Sequence, residues 1–470
     1  MTVPVTLSMT GAQHDQLRHF LFPGDGKEAV AIALCGQRVG DRRHRLMVRV
    51  IEGIPYRMCS ERTPVCVTWS PDVIEALLER AAVEHLSVVK IHSHRNGRAT
   101  FSAADDAGDA RLLPMIRGWI ETDVFVGSAV MLPDGEMFGR IMDLDGTLAP
   151  MAMINVVGDD LQFWYPNIEG EIPGFVASHA QVFGEGTIER LRRLSIAVVG
   201  ASGTGSPTIE QLMRLGVGEI VVVDDDRIEE RNVNRIVNST MQDARDGKLK
   251  VDVLADAVER ANLGTRIIRL PKNLWDPDVV RAVAQCDVVF GCMDTVDGRF
   301  LLNTLATYYT IAYFDIGVRL VALSEGPQKG RVREVCGTIN CLQPGRSSLM
   351  SRGLFTMKDV ASAGLRRGDP AAHAQQVGDG YITGVPVGRP AVVSVNMLGS
   401  ALATNELLAR LHPFREEPNG AYASVTFSLA SMELINEPEE GCCAILAGKV
   451  GVGDIKPLLG LIDLAERRAA

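Results

Sequence analysis

The sequence predicts an α/β protein in two parts, a mixed α+β domain followed by a domain with a mostly parallel sheet. Three observations predict it. Strand-length apolar runs mix with helical patterns in the first third of the chain, the stretch FWYPNIEGEIPGF is irregular, and from Arg193 the order becomes strand, glycine-rich turn, helix, strand. A chain of 470 residues is long enough for each part to bury its own core.

The first part contains strands and helices in alternation. AVAIALCG and HRLMVRVIEG read as strands, PDVIEALLERAAVEH as an amphipathic helix, and SVVKI as a strand that ends at a pair of histidines. VFVGSAVMLPDGEMFGRIMDL reads as two strands around the turn PDGE. We predict a domain over residues 1–155 and a linker over 156–175.

The second part, residues 176–470, opens with a parallel βαβ unit. LSIAVVG is its first strand, ASGTGS its turn, PTIEQLMRLGVG its helix and EIVVVDDD its second strand. TRIIRLP and DVVFGCMD continue the sheet, and VVSVNMLGSALATNELLARL is a late helix with an apolar face.

Composition excludes several classes of protein. The chain is 46% hydrophobic and 23% charged, and it has no run of about 18 apolar residues, so we expect no membrane span. A net charge of −10 argues against binding to nucleic acid, whose phosphates require a basic surface. Nine scattered cysteines and an N-terminus without a signal-peptide pattern predict a cytoplasmic protein without disulfides.

A candidate metal site lies in HSHRNGRATFSAAD, which begins at His92. Side chains at His92 and His94 point to the same side of a strand, so both imidazoles can bind one metal ion. Asp105 can add an oxygen ligand and leave the fourth position of a catalytic zinc to water, while Ser102 can donate to a tetrahedral oxyanion. The alternative is a solvated loop in which this spacing arises by chance.

Together these residues spell H-x-H, seven residues, S-x-x-D, which resembles the JAMM motif (MPN+ or JAB) of zinc isopeptidases. The resemblance covers residues 1 to about 155 and implies a cytidine-deaminase-like fold. It also implies that Glu28, at the start of a strand in KEAVAIALCG, is the general base. Arg95 stands where many relatives have proline, a change that removes no ligand.

The turn GASGTGS is a candidate phosphate-binding loop. It follows an apolar strand and opens a helix, so backbone N–H groups of Gly200, Gly203 and Gly205 can approach a nucleotide phosphate. A nicotinamide oxidoreductase would require GxGxxG, but Ser202 replaces the second glycine and three acidic residues close the next strand. The turn therefore predicts a bound nucleotide, and the acidic strand end weakens the oxidoreductase interpretation.

This segment, with VVDDDRIEERNVNR after it, resembles the ThiF/MoeB/E1 superfamily of adenylating enzymes with a Rossmann-like fold. The resemblance extends over about residues 176–470 and implies binding of ATP and Mg²⁺. Asp226 would bind the ribose beside Asp224, Lys250 would stabilise charge on the α- or γ-phosphate, and Asp294 would orient magnesium and pyrophosphate. The phosphates would be contacted by Asn232 and Arg235.

Cysteine positions depart from that family. Cys341 has no partner three residues on, and Cys442 and Cys443 are adjacent, so we do not expect the second, structural zinc of two CxxC pairs. The crossover region from Gly345 to Arg389 has no cysteine for a thioester. Cys336 or Cys341 can substitute, but a buried thiol beside a strand is the simpler interpretation.

Both resemblances together imply a bifunctional enzyme of a bacterial ubiquitin-like modifier pathway. One part would trim a modifier precursor to its terminal glycine or remove the modifier from its targets, and the other would adenylate that glycine. The implied partners are a ubiquitin-like protein, an E2-like protein and a second copy of the chain through the E1-like domain. Alternatives are activation of a sulfur-carrier protein or peptide in biosynthesis, an inert scaffold that binds such a protein, and the oxidoreductase.

Overall fold

The computed structural model describes residues 3–121, 123–143, 145–166, 172–323, 327–378 and 391–465. The chain folds into two compact units. One comprises Met1–Glu169, Tyr308–Thr310 and Lys449–Leu459, and the other comprises Gly170–Thr307, Ile311–Gly448 and Gly460–Ala470.

The first unit is built on a nine-stranded mixed sheet. Its strands and helices are β1 (Val5–Thr10), α1 (Gly11–Leu21), β2 (Val30–Arg38), β3 (His44–Gly53), β4 (Cys59–Thr63), β5 (Cys66–Trp69), α2 (Glu75–Glu84), β6 (Ser87–Ser93), α3 (Ala103–Ile120), β7 (Val126–Met131), β8 (Met137–Met142), β9 (Leu148–Pro150), β10 (Met153–Val157) and β11 (Leu161–Trp164). The strand order is β11-β10-β1-β3-β2-β6-β7-β8-β9, and β4 and β5 form a separate hairpin.

Helices cover both faces of this sheet because successive side chains of each strand point to opposite sides. On one face, Leu17 and Leu21 of α1 pack with Ile91 of β6. On the other, apolar side chains of α2 and α3 pack with Val30 and Val88. The predicted strands β2, β3, β6, β7 and β8 are confirmed, and the helix predicted from Pro71 begins with a short 3₁₀ turn before α2.

The predicted boundary at residue 155 is wrong for the sheet. β10 crosses that residue and β11 lies beyond it, within the predicted linker. β10 is held by parallel pairing with β1, where the Ser8 hydroxyl donates to buried Asn155 over 2.6 Å. The first unit therefore extends past the range assigned from the sequence.

The second unit contains an eight-stranded sheet. Its elements are α4 (Ala177–Phe183), α5 (Glu185–Arg193), β12 (Ser195–Val199), α6 (Gly205–Arg214), β13 (Glu219–Val223), α7 (Met241–Arg245), α8 (Lys250–Ala261), β14 (Arg266–Leu270), α9 (Pro277–Val283), β15 (Val288–Gly291), α10 (Val296–Tyr308), β16 (Ala312–Ala322), β17 (Val332–Leu342), α11 (Met357–Gly368), α12 (Pro370–Gly378), α13 (Val393–Leu411), β18 (Ser424–Ser428) and β19 (Glu433–Glu437).

The strand order is β14-β13-β12-β15-β16-β17-β18-β19, parallel up to β16 and antiparallel beyond it. The predicted βαβ unit and late helix are confirmed, and the antiparallel extension was not predicted. β13 and β15 lie on opposite sides of β12, so the order of the strands reverses there. The turn after β12 lies at the carboxyl edge of the sheet at this reversal, which is where α/β proteins bind ligands. Within the described residues, no helix is long and apolar enough to cross a lipid bilayer.

Candidate functional site

The histidine pair lies at the end of β6, deep in the first unit. His92 is the penultimate residue of the strand and His94 follows its last residue, and both are buried. Alternation along the strand puts them on the α3 side of the sheet. The Nε2 atoms of the two rings are 3.3 Å apart.

Asp105 reaches the pair from the first turn of α3. One carboxylate oxygen lies 2.8 Å from Nε2 of His92, and the other lies 3.2 Å from Nε2 of His94. A tetrahedral zinc with bonds of about 2.0–2.1 Å separates its ligand atoms by about 3.3 Å. Because these three atoms lie within 4.8 Å of one another, the group fits one small metal ion.

A hydrogen bond orients the His94 imidazole, and burial keeps the His92 imidazole neutral. Nδ1 of His94 lies 2.8 Å from the carbonyl of Arg98, which holds the proton on Nδ1 and leaves Nε2 free to coordinate. Burial lowers the pKa of His92 to about 4, against the opposing effect of Asp105, so this ring is neutral near pH 7. Neutral imidazole is the form that binds metal.

Glu28 lies beside this group. In the antiparallel register Val30 pairs with His92, and Ser93 donates to the carbonyl of Ala29, so Glu28 falls opposite His94. Burial raises the pKa of Glu28 to about 7, with a smaller contribution from Asp105 and opposition from His94. A carboxyl group with this pKa can exchange a proton near neutral pH, as a general base requires.

Ser102 has a structural role in addition to the catalytic role predicted from the sequence. It is the N-cap of α3, where its hydroxyl accepts from the Asp105 amide over 3.2 Å and donates to the Asp105 carboxylate over 2.7 Å. Asp105 in turn accepts from the Ser102 amide, which completes a capping box. The S-x-x-D spacing therefore orients the carboxylate toward the histidines.

A buried ionic cluster beneath the histidines was missed in the sequence. Asp109, one helical turn after Asp105, has a fully buried side chain and accepts from Lys90 and Arg140. Lys90 occupies the same face of β6 as His92, two residues earlier. The available signal was a lysine in the middle of the apolar strand SVVKI, since buried lysine requires a partner.

In the second unit the glycine-rich turn, residues 200–205, is closely packed, and it is called the glycine cradle below. Gly200 has φ +96°, which L side chains rarely adopt, and a Cβ there would lie 2.7 Å from the carbonyl oxygen of Cys292. A Cβ at Gly205 would lie 1.8 Å from the Gly200 oxygen, and one at Gly203 would lie 2.2 Å from Nδ2 of Asn396. The three glycines predicted to bind phosphate thus have no room for side chains.

Acidic residues and a lysine adjoin this cradle. The Asp224 carboxylate accepts from the Ala201 amide of the turn over 2.7 Å. Lys250, buried at the start of α8, contacts Asp226 at 2.6 Å and Asp224 at 3.4 Å. Burial raises the pKa of Asp224, and Lys250 opposes that shift. The structure therefore brings together three of the residues predicted to bind ATP.

Three further predicted residues occupy neighbouring segments. Arg235 lies beside the turn, because its Cδ is 3.4 Å from the position that a Cβ would occupy at Gly203. Asn232 is buried and accepts from the Glu229 amide through its side chain. Asp294 is exposed between β15 and α10.

α13 contributes a residue that sequence reasoning missed. Asn396 of this helix is buried and contacts the glycine turn, and the Ser400 hydroxyl donates to the Thr204 carbonyl over 2.6 Å. The two polar residues are four positions apart and therefore lie on one side of the helix, which was the available signal.

The cysteines considered for a thioester lie on β17. Cys341 is buried opposite Phe314, and burial raises the pKa of its thiol to about 11. Cys336 is half-buried on the same strand. A protonated, buried thiol is a poor nucleophile, so the geometry favours a packing role for Cys341. Residues 379–390 of the predicted crossover region lie outside the described residues.

Comparison with known proteins gives one family match. The model of the ThiF family matches residues 176–442, more than half of the chain, and it does not include the histidine site.

Curated relatives match parts of the chain as well, among them the following three. "Adenylyltransferase and sulfurtransferase UBA4" of Meyerozyma guilliermondii is 34% identical over 123 residues, which are 26% of this chain and 28% of the relative. "Sulfur carrier protein adenylyltransferase" of Thermus thermophilus is 35% identical over 126 residues, or 27% and 45%. "Ubiquitin-like modifier-activating enzyme 5" of Bombyx mori is 28% identical over 171 residues, or 34% and 40%. The chain spans less than half the length of each.

Proposed function

The chain belongs to the ThiF family, and from that premise we propose that its second unit adenylates the C-terminal carboxylate of a small carrier protein. The observation that carries this proposal is the glycine cradle with Lys250 and Asp224 at its rim. Two of the relatives above 30% identity have names that refer to a sulfurtransferase or a sulfur carrier. Activation of a sulfur carrier, the alternative expected from the sequence, therefore has better support than modifier conjugation.

The chemistry follows from charge. A carboxylate oxygen of the carrier attacks the α-phosphorus of ATP, the bond to the bridging oxygen breaks, and pyrophosphate leaves. Negative charge accumulates on the phosphates in this step, and cations and backbone N–H groups stabilise it. Lys250, Arg235 and the amides at the start of α6 would take that role. Asp294 would hold Mg²⁺, which would offset negative charge on the leaving pyrophosphate.

Burial of the Cys341 thiol also favours a sulfur-carrier pathway, because it argues against one of the two cysteines considered for a thioester. Transfer to a conjugating partner requires an accessible thiolate, whereas a sulfur-carrier pathway can pass the adenylate to a sulfur donor without a thioester on this chain. An E2-like partner and a homodimer through this unit stay predictions from family resemblance.

ATP–pyrophosphate exchange by the full chain tests adenylation. We expect exchange to require a carrier ending in Gly-Gly and to fall about 100-fold or more in Lys250→Ala. Lys248→Ala is the matched control, because Lys248 is exposed and pairs with Asp243 outside the cradle. Equal rates for both variants would contradict the role of Lys250. Absence of exchange with every Gly-Gly carrier would favour the inert scaffold.

The same exchange assay with two kinds of carrier protein identifies the class of substrate. Exchange supported by a sulfur-carrier protein but not by a ubiquitin-like modifier would select the sulfur pathway. The reverse result would restore the modifier pathway.

A second function is proposed for the first unit, a zinc-dependent peptidase that cleaves beside the carrier's terminal glycine. It is supported by the convergence of His92, His94 and Asp105 and by buried Glu28 opposite His94. Zinc bound to these ligands would supply a Lewis acid and lower the pKa of water to about 7. Glu28 would accept the proton of that water and return it to the departing amine.

Hydrolysis of a Gly-Gly carrier bearing a peptide extension tests this function. Glu28→Gln should lower kcat by a factor of about 100 or more while zinc content stays at one equivalent. Glu52→Gln, a neutralisation of an exposed carboxylate on β3, is the control. An isopeptide-linked substrate in parallel separates maturation from deconjugation. Cleavage that survives Glu28→Gln would refute the assignment of the base.

A further inference from the structure

A cavity of about 480 Å³ opens on the α1 face of the first unit. Its volume falls within the range of small-ligand and peptide-side-chain sites. It is lined by Asp15, Arg18, His19, Phe22, Gly24, Arg95 and Pro133.

The cavity is positively charged in a chain whose net charge is −10. Two arginines face one aspartate. Among the described residues neither arginine forms an ion pair: Arg18 donates to the Pro133 carbonyl over 3.2 Å, and the Arg95 guanidinium lies 5.3 Å from the centre of the Phe22 ring. Unpaired guanidinium groups that share a cavity favour an anion, above all a carboxylate.

The cavity and the histidine site share one end of the sheet. Arg95 follows His94 directly, and the His94 amide donates to the Met131 carbonyl at the end of β7, two residues before Pro133. His94 contacts Asp105 of α3, whereas Arg95, in the turn after β6, lines the cavity together with Arg18 of α1. A peptide that crosses this edge of the sheet reaches both.

We propose that this cavity binds a carboxylate of the peptide segment beyond the bond that the histidine site cleaves. The inference rests on the proposed peptidase function. In an extended peptide, which advances about 3.3 Å per residue, an acidic residue within about three positions of the cleaved bond would reach Arg95 and Arg18. The site thus selects carriers with an acidic extension and gives Arg95 a task that proline could not perform.

Two extensions and three variants test the proposal. The probes are a Gly-Gly carrier extended by Glu-Glu and the same carrier extended by Gln-Gln. We expect the Glu-Glu form to have a KM about tenfold lower, and Arg18→Ala and Arg95→Ala each to raise that KM about fivefold with kcat unchanged. Arg111→Ala removes an exposed arginine of α3 outside the cavity and is the control.

Two kinetic results would overturn the proposal. One is equal KM for both extensions. The other is a loss of kcat rather than a rise of KM in Arg95→Ala, since that would show that Arg95 acts through His94.

A binding measurement separates failure of the cavity from failure of the peptidase. Fluorescence anisotropy of labelled Gly-Gly-Glu-Glu and Gly-Gly-Gln-Gln peptides on the full chain carrying Glu28→Gln needs no turnover. If the chain prefers the acidic peptide and Arg18→Ala abolishes that preference, the cavity binds a carboxylate. If no substrate is cleaved in the same experiments, only the peptidase function is refuted. Equal binding of both peptides refutes the carboxylate site.

Discussion

Replacing Asp109 by alanine should destabilise the first unit strongly. The side chain of Asp109 is fully buried, and those of its partners Lys90 and Arg140 are 10% and 11% exposed. Removing the carboxylate leaves two cations with little access to water, and breaking a buried ion pair in this way costs about 3–5 kcal/mol. For a unit of this size that cost corresponds to a Tm lower by about 10 °C.

Asp106→Ala is the matched control. Asp106 also contacts Arg140, but its side chain is 62% exposed, so its removal should cost less than about 1 kcal/mol. Urea unfolding followed by tryptophan fluorescence reports mainly on this unit, because Trp69, Trp119 and Trp164 lie in it and Trp275 lies in the other. A loss below 1 kcal/mol for Asp109→Ala would refute the ionic cluster as a stabilising element.

The pH dependence has a defined sign. Burial alone would raise the pKa of Asp109, but Lys90 and Arg140 outweigh burial and lower it. A carboxyl whose folded-state pKa is lowered stabilises the fold above its unfolded pKa of about 3.8, and that contribution is lost as the pH falls through the folded value. The difference between wild type and Asp109→Ala should therefore be constant near neutral pH and shrink only below about pH 4.

Three other changes test the sites. His94→Ala should reduce bound zinc from one equivalent to near none by atomic emission spectroscopy, whereas His85→Asn, at an exposed helix end, should keep it. Gly205→Ala, whose Cβ would lie 1.8 Å from the Gly200 oxygen, should abolish ATP binding in calorimetry, and retained affinity would contradict the cradle. Ser102→Ala should cost about 1 kcal/mol of stability and weaken zinc binding, and Ser102→Thr should restore both; unchanged zinc affinity in Ser102→Ala would refute the orienting role.

Much of the fold followed from local sequence patterns. β3 begins and ends at the residues predicted from HRLMVRVIEG, and the βαβ unit follows its strand, turn and helix signals. α1 was missed because its buried positions are only His14, Leu17 and Leu21 in an otherwise polar segment, although Thr10 and Gln13 form a capping box that marks its start.

Elements that depend on distant partners were not predictable in the same way. β10 and β11 are short, and the alignment of β10 with β1 joins residues about 150 positions apart. The ionic cluster joins Lys90, Asp109 and Arg140 from three separate elements. Local propensity carries no information on such pairs, because the stabilisation exists only once the sheet and α3 have assembled.

The motif S-x-x-D illustrates what spacing alone can establish. The same capping geometry recurs at α7 and α11, where Asp243 and Asp359 accept from threonine caps. Asp243 also pairs with a lysine, and in the described residues Asp359 forms no hydrogen bond or ion pair beyond its cap. Asp105 differs because its two oxygens also face His92 and His94. The capping box explains why an aspartate stands three residues after Ser102, but only the histidine pair makes that aspartate a candidate metal ligand. The metal hypothesis therefore depends on β6 and its register with β2.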